Sequence, residues 1–118
     1  MHNMVYLIGR LTNDPKVKKL ESGKEVCNLT IASQRSFKNE DGIYETDFID
    51  CTLWNAIATN TAEYCHKGDL VGIKGRLQSR LITDDNDEVI DKKIEVIVEK
   101  ISFLASNSKD IQDKIDNE

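Results

Sequence analysis

The stretch "TDFIDCTLWN", Thr46 to Asn55, alternates with a period of two, and no other feature of the chain excludes more folds. Ile49, Cys51 and Leu53 make one side wholly apolar, while Phe48, Asp50, Thr52 and Trp54 make the other. That pattern fits a half-buried β-strand and fails as a helix, whose apolar positions recur every three or four residues. Leu70 to Ile82 repeats it. Val71, Ile73, Gly75, Leu77, Ser79 and Leu81 form a mostly apolar core side, opposite Leu70, Gly72, Lys74, Arg76, Gln78, Arg80 and Ile82.

The remaining segments extend the same theme. Val5 to Leu11 is a short strand-like run closed by "TNDP", which ends in the only proline, Pro15. The turn "ESGKE" precedes a strand over Lys24–Arg35, and "KNEDG" separates that strand from the opening stretch, so the two are expected to pair antiparallel. From Asn55 to His66 the period changes: Ala58, Thr61, Ala62 and Cys65 follow helical spacing, with Gly68 where a helix end favours a left-handed residue. After the strand Leu70–Ile82 come a loop, "TDDNDE", and a last strand over Lys93–Leu104. No internal repeat is visible. A chain of 118 residues holds one domain. Long strands in so small a unit must curl to hide their apolar side. The expected fold is therefore all-β, a five-stranded OB-fold Greek-key barrel with one short helix between strands 3 and 4. A small sandwich competes, and periodicity alone does not separate the two. The domain is expected to span residues 1–104, with 105–118 a short flexible acidic tail carrying Ile111 and Ile115 as its only large apolar residues.

Several function classes are disfavoured. Cys27, Cys51 and Cys65 are an odd number without a close pair, so structural thiols are expected rather than disulfides or a metal knuckle. His2 and His66 are too far apart to suggest a metal site, and no cofactor is expected. There is no Gly-rich phosphate loop and no nucleophile–base motif, so the chain reads as non-catalytic. No secretory leader is expected, no apolar run reaches membrane length, and a cytoplasmic, nucleoid-associated location is the expectation.

Net charge points away from nucleic acid, at −5, yet its distribution is uneven. Two lysines face four acids in the last fourteen residues, and five more acids cluster between Asp84 and Asp91. From His66 to Ile82 the balance reverses, with Lys67, Lys74, Arg76 and Arg80 against Asp69. Lys74, Arg76 and Arg80 share one face of their strand, the first two about 7 Å apart. By itself such a stripe is ordinarily just solvated surface. Flat aromatic surfaces on one strand and a cationic stripe on another together suit single-stranded nucleic acid. Stacking ignores base identity and cations hold the phosphates. Phe48 and Trp54 are the candidate stacking residues, with Phe37 a further platform; Arg35, Lys74, Arg76 and Arg80 are the candidate phosphate contacts.

The motifs "NMVYLIGRLTNDP", "SGKEVCNLTIA", "RSF…DG.YETDFIDCTLWN", "YCHKGDLVGIKGRLQSR" and "EVIVEKISFL" resemble the bacterial single-stranded DNA-binding protein family, in order and nearly without gaps from about Asn3 to Leu104. The resemblance implies an OB-fold assembled as a homotetramer. It implies sequence-independent binding of single-stranded DNA exposed in replication, recombination and repair. The family's stacking aromatics correspond to Phe37, Phe48 and Trp54. The chain departs from the pattern twice. An aromatic expected just after "QSR" is replaced by Leu81 and Ile82, which implies weaker binding or a different wrapping mode. The usual acidic tip ending in Pro-Phe is absent from "DKIDNE", so partner recruitment through such a tip is not expected; a tail-less bacterial or phage paralogue and a shortened chain both stay open. Two rival readings stand beside this one: another OB module, primosomal or RNA-binding, and an assembly module whose aromatics are buried against a partner subunit.

Overall fold

The computed structural model describes residues 1–106. Six strands and one helix follow in order: β1 Val5–Leu11, β2 Lys18–Lys19, β3 Glu25–Lys38, β4 Tyr44–Trp54, α1 Asn55–Tyr64, β5 Leu70–Thr83 and β6 Val89–Ala105. Their sheet order is β1-β5-β6-β4-β3-β2. β1 pairs with β5 as far as Arg10, then turns to β3 through Arg10↔Ala32 and Leu11↔Ile31, which closes five strands into a barrel. Within the sheet β4 and β6 alone run parallel, touching at Cys51↔Val96 and Thr52↔Ile97. This mixed barrel with one short helix is the expected OB architecture. The two-residue β2, antiparallel to β3 across the "ESGK" turn, is an addition that periodicity does not reveal in so short a segment.

The core is built by the alternation read from sequence. Cys51 and Leu53 of β4, Val71 and Ile73 of β5, Cys27, Leu29 and Ile31 of β3 and Val96 of β6 are all buried. Ala58 and Thr61 of α1, with Cys65, plug one end. The three cysteines are free and buried. Burial, reinforced by the Asp50 charge, pushes the Cys51 thiol up to about 12, so it packs as a small hydrophobe and not as a nucleophile.

Closure of so narrow a barrel needs two glycines. β6 carries one extra residue, Glu99, where the register steps from Lys74↔Lys100 to Gly75↔Val98. At this bulge a Cβ on Gly75 would lie 2.2 Å from the Ile97 carbonyl oxygen. Gly9 sits where β1 changes partners, and a Cβ there would meet the Ala32 carbonyl oxygen at 2.5 Å.

Several boundaries differ from expectation. The helix ends at Tyr64, not His66, because the buried Asp69 carboxylate accepts the His66 N–H and holds a tight turn there. Gly68 has its left-handed φ of 90° inside that turn, beyond the helix end. β3, β4 and β6 run longer than read, because β3–β4 and β5–β6 continue past the barrel as two-stranded arms. Since β4 and β6 are parallel, both arms leave the same end, in a molecule measuring 60 × 43 × 30 Å. Leu77, Ser79 and Leu81 keep the core-side parity but are exposed, for the arm has no second sheet to pack on. The last strand extends through Ala105, and residues 107–118 of the expected flexible acidic tail lie outside the described residues. Among the described residues, no helix is long and apolar enough to cross a membrane.

Candidate nucleic-acid interface

Residues opposite one another in a ladder point to the same side. Register therefore places Asn28, Thr52, Ile97 and Arg76 in one row across β3, β4, β6 and β5, on the outside of the barrel. Counting by two from that row, Phe48, Asp50 and Trp54 lie on the same outer face, as do Lys74, Gln78 and Arg80. Phe48 is 68 % exposed and Trp54 37 %. Neither ring is sealed, and both share a face with the cations.

Local structure holds each ring in place. Phe48 pairs with Ala32, whose small side chain leaves the ring standing clear. Trp54 is the last residue of β4, immediately before a corner at Asn55 with φ 54°. Asparagine adopts that left-handed conformation more easily than most residues. Its Oδ1 also accepts the Glu25 N–H at 3.1 Å, which ties the corner to β3. Between the rings the floor is polar. The Thr30 hydroxyl donates to Asp50, whose other oxygen lies 3.7 Å from the Lys93 ammonium, and the buried Thr52 hydroxyl donates to Glu95 at 2.6 Å.

β6 runs between the aromatic and the cationic strand, so β4 and β5 are two strand spacings, about 10 Å, apart where it intervenes. Lys93 of β6 stands opposite Arg80 and adds a cation that the sequence reading missed; its alternation with Glu95 and Ile97 was the available signal. Asp50 and Glu95 are acids on the same face, one offset by Lys93 and the other engaged by Thr52. The Arg76 guanidinium donates to Gln78 and faces no acid across its own ladder, where its partner is Ile97.

The other candidates fall in different surroundings. Lys74 lies between Tyr6 of β1 and Lys100 of β6, bordering the exposed apolar residues Tyr6, Ile8 and Leu104. Arg35 has the opposite parity to Phe48. Its guanidinium donates to both Asp47 oxygens, at 3.1 and 2.9 Å, and to Glu45. This hydrogen bonding, with its charge, holds the Asp47 carboxyl below the usual carboxylate range and raises Arg35. Arg35 thus braces the β3–β4 arm from behind, with its charge already matched by two carboxylates. Phe37 is 65 % exposed on the same arm, inside the register shift between Gln34 and Lys38, where the alternation that orders the other faces is interrupted.

Residues 2–104 match the single-strand binding protein family. The chain is 44 % identical over 105 residues to single-stranded DNA-binding protein B of Bacillus subtilis, covering 88 % of this chain and 91 % of that one. It is 42 % identical over 110 residues to single-stranded DNA-binding protein 1 of Clostridium acetobutylicum, covering 91 % and 97 % of the two. Against the single-stranded DNA-binding protein of Lactiplantibacillus plantarum it is 42 % identical over 92 % of its own length but only 54 % of the relative's. A closed mixed barrel, open aromatics beside cations, and matches of this extent agree: the chain belongs to the single-strand binding protein family.

Proposed function

We propose that this chain binds single-stranded DNA without reading its sequence, stacking bases on Phe48 and Trp54 and holding phosphates with Arg76, Arg80 and Lys93. The observation that carries this is the exposure of both rings on the face that also presents those cations. Its service in the cell is to cover single strands opened in replication, recombination and repair, in the cytoplasm where the chromosome lies. Phe37 is a further stacking platform on the β3–β4 arm. Lys74 contributes at the margin, and Arg35 serves by stiffening the arm. Trp54 is the only tryptophan, so its fluorescence reports the site directly. Saturating oligo(dT) is expected to quench it, with affinity falling as salt rises. Unchanged emission at saturation overturns the stacking role of Trp54.

A second copy of the chain is the proposed partner. From Val5 to Leu7, β1 pairs with β5 on one side only, which leaves an open strand edge that ends where the Ile8 carbonyl accepts the Ser33 hydroxyl. Beside that edge Met4, Tyr6, Ile8 and Leu104 expose an apolar outer face, separate from Phe48 and Trp54. An edge and a face are two different self-complementary contacts, and two such contacts generate a homotetramer with dihedral symmetry. Exposed aromatics at the DNA site are therefore not needed for assembly, which disfavours the rival reading of Phe48 and Trp54 as interface residues. Sedimentation is expected to give a tetramer, and Ile8→Asp a smaller species. A monomeric parent protein at micromolar concentration contradicts the assignment.

A further inference from the structure

The outer face of β4 continues past Phe48. Thr46 and then Tyr44 follow at intervals of two, which places Tyr44 about 13 Å further along, near the tip of the β3–β4 arm. Tyr44 keeps 45 % of its surface exposed. Lys38 is its register partner on β3, and the Lys38 ammonium sits 5.6 Å from the centre of the Tyr44 ring. An aromatic face and a cation thus stand together on the line already marked by Phe48 and Trp54.

The arm is stiff enough to present them. Asn39 Oδ1 accepts the N–H groups of Asp41 and Ile43, and the Asn39 N–H donates to the Ile43 carbonyl, so one side chain closes the turn. On the reverse face Arg35 clasps Glu45 and Asp47, the neighbours that flank Thr46. A cation–π pair would itself stiffen a hairpin. That use leaves unexplained why the ring shares the outer face of Phe48 on an arm already braced from behind.

We propose that Tyr44 and Lys38 form an additional nucleotide subsite, the base of an unpaired nucleotide stacking on the open face of Tyr44 and its phosphate meeting the Lys38 ammonium. The subsite rests on the reading that the chain binds single-stranded DNA, and it extends the bound track to the end of the arm.

The test is fluorescein-labelled oligo(dT), longer than the β4 track, titrated against the full chain by anisotropy with Trp54 quenching recorded in parallel. Tyr44→Ala is expected to raise Kd about 5- to 140-fold, the range that one stacked base supplies. Tyr44→Phe keeps the ring and should stay within about twofold of the parent. Lys38→Ala should reduce the slope of log K against log salt by about 0.7. Tyr44→Leu keeps bulk without a π face and is expected to behave like Tyr44→Ala, which separates stacking from an effect on the hairpin. Parent affinity in Tyr44→Ala, with Trp54 still quenched, overturns the subsite and leaves the DNA-binding reading intact. Equal losses in Tyr44→Ala and Tyr44→Phe also overturn it. A parent protein that shows neither quenching nor anisotropy change overturns both.

Discussion

Gly75→Ala is expected to lower stability by about 3 kcal/mol, at or beyond the upper end of ordinary overpacking. The reason is geometric. The added methyl would sit 2.2 Å from the Ile97 carbonyl oxygen and 3.1 Å from its carbonyl carbon, both backbone atoms that no rotamer change can move. β5 and β6 would have to separate at the bulge that lets the barrel close. Gly72→Ala, three residues away on the same strand, is the control. Its Cβ would meet only the Leu104 Cδ1 at 3.6 Å, an ordinary contact. There the loss of unfolded-state freedom should leave stability unchanged or raise it by about 0.4–1 kcal/mol. Thermal melting followed by circular dichroism separates them: for a domain of this size, about 3 kcal/mol corresponds to a drop of roughly 12–24 °C. Similar melting temperatures for the two variants contradict the closure account. Because Gly75 lies between Lys74 and Arg76, the same shift displaces the cationic row, so DNA binding should weaken with stability.

The contrast between those two glycines marks what sequence can convey. Both occur in "VGIKG" and look alike there, yet one faces a crossing backbone and the other an open outer surface. Alternation identified the core side of β4 and β5 correctly because each strand reports its own two faces. It also placed Phe48, Trp54, Arg76 and Arg80 on outward sides. It could not say which strands would be neighbours. The interposition of β6 brings Lys93 and Glu95 between rings and cations, and that follows from a parallel pairing of only two residue pairs, too short to leave a pattern. Arg35 shows the same limit. Two residues before Phe37 it reads as free to hold a phosphate, whereas the register of β3 on β4 brings Asp47 and Glu45 to its guanidinium. Lys74 lay in an unbroken stripe with Arg76, and its apolar surroundings come from Tyr6 and Ile8, more than sixty residues earlier. Leu77 and Leu81 have the parity of core residues, but their burial depended on where the barrel ended.

The largest effect on binding is expected from Phe48→Ala combined with Trp54→Ala. Each ring should contribute about 1–3 kcal/mol of stacking. The two positions are six residues apart on one strand, about 20 Å. At that separation, with no shared partner, their losses should add to within about 0.5 kcal/mol. The double variant should therefore bind oligo(dT) weaker by about 2–6 kcal/mol, roughly 30-fold to 20,000-fold. Stability should change far less, since both side chains stand on the outer face and the core residues Cys51 and Leu53 between them are untouched. Salt dependence distinguishes this loss from a loss of charge. Removing rings leaves the number of neutralised phosphates unchanged at each remaining contact, so the slope of log K against log salt should persist. Arg76→Ala should do the reverse, reducing the slope by about 0.7 with no change in base preference. Anisotropy titrations of labelled oligo(dT) at several salt concentrations measure both quantities together. If the double variant flattened the slope while Arg76→Ala left it alone, the division of labour between β4 and β5 would be wrong. If each single variant cost as much as the pair, the strand would be held at one point, and the track along β4 would not exist.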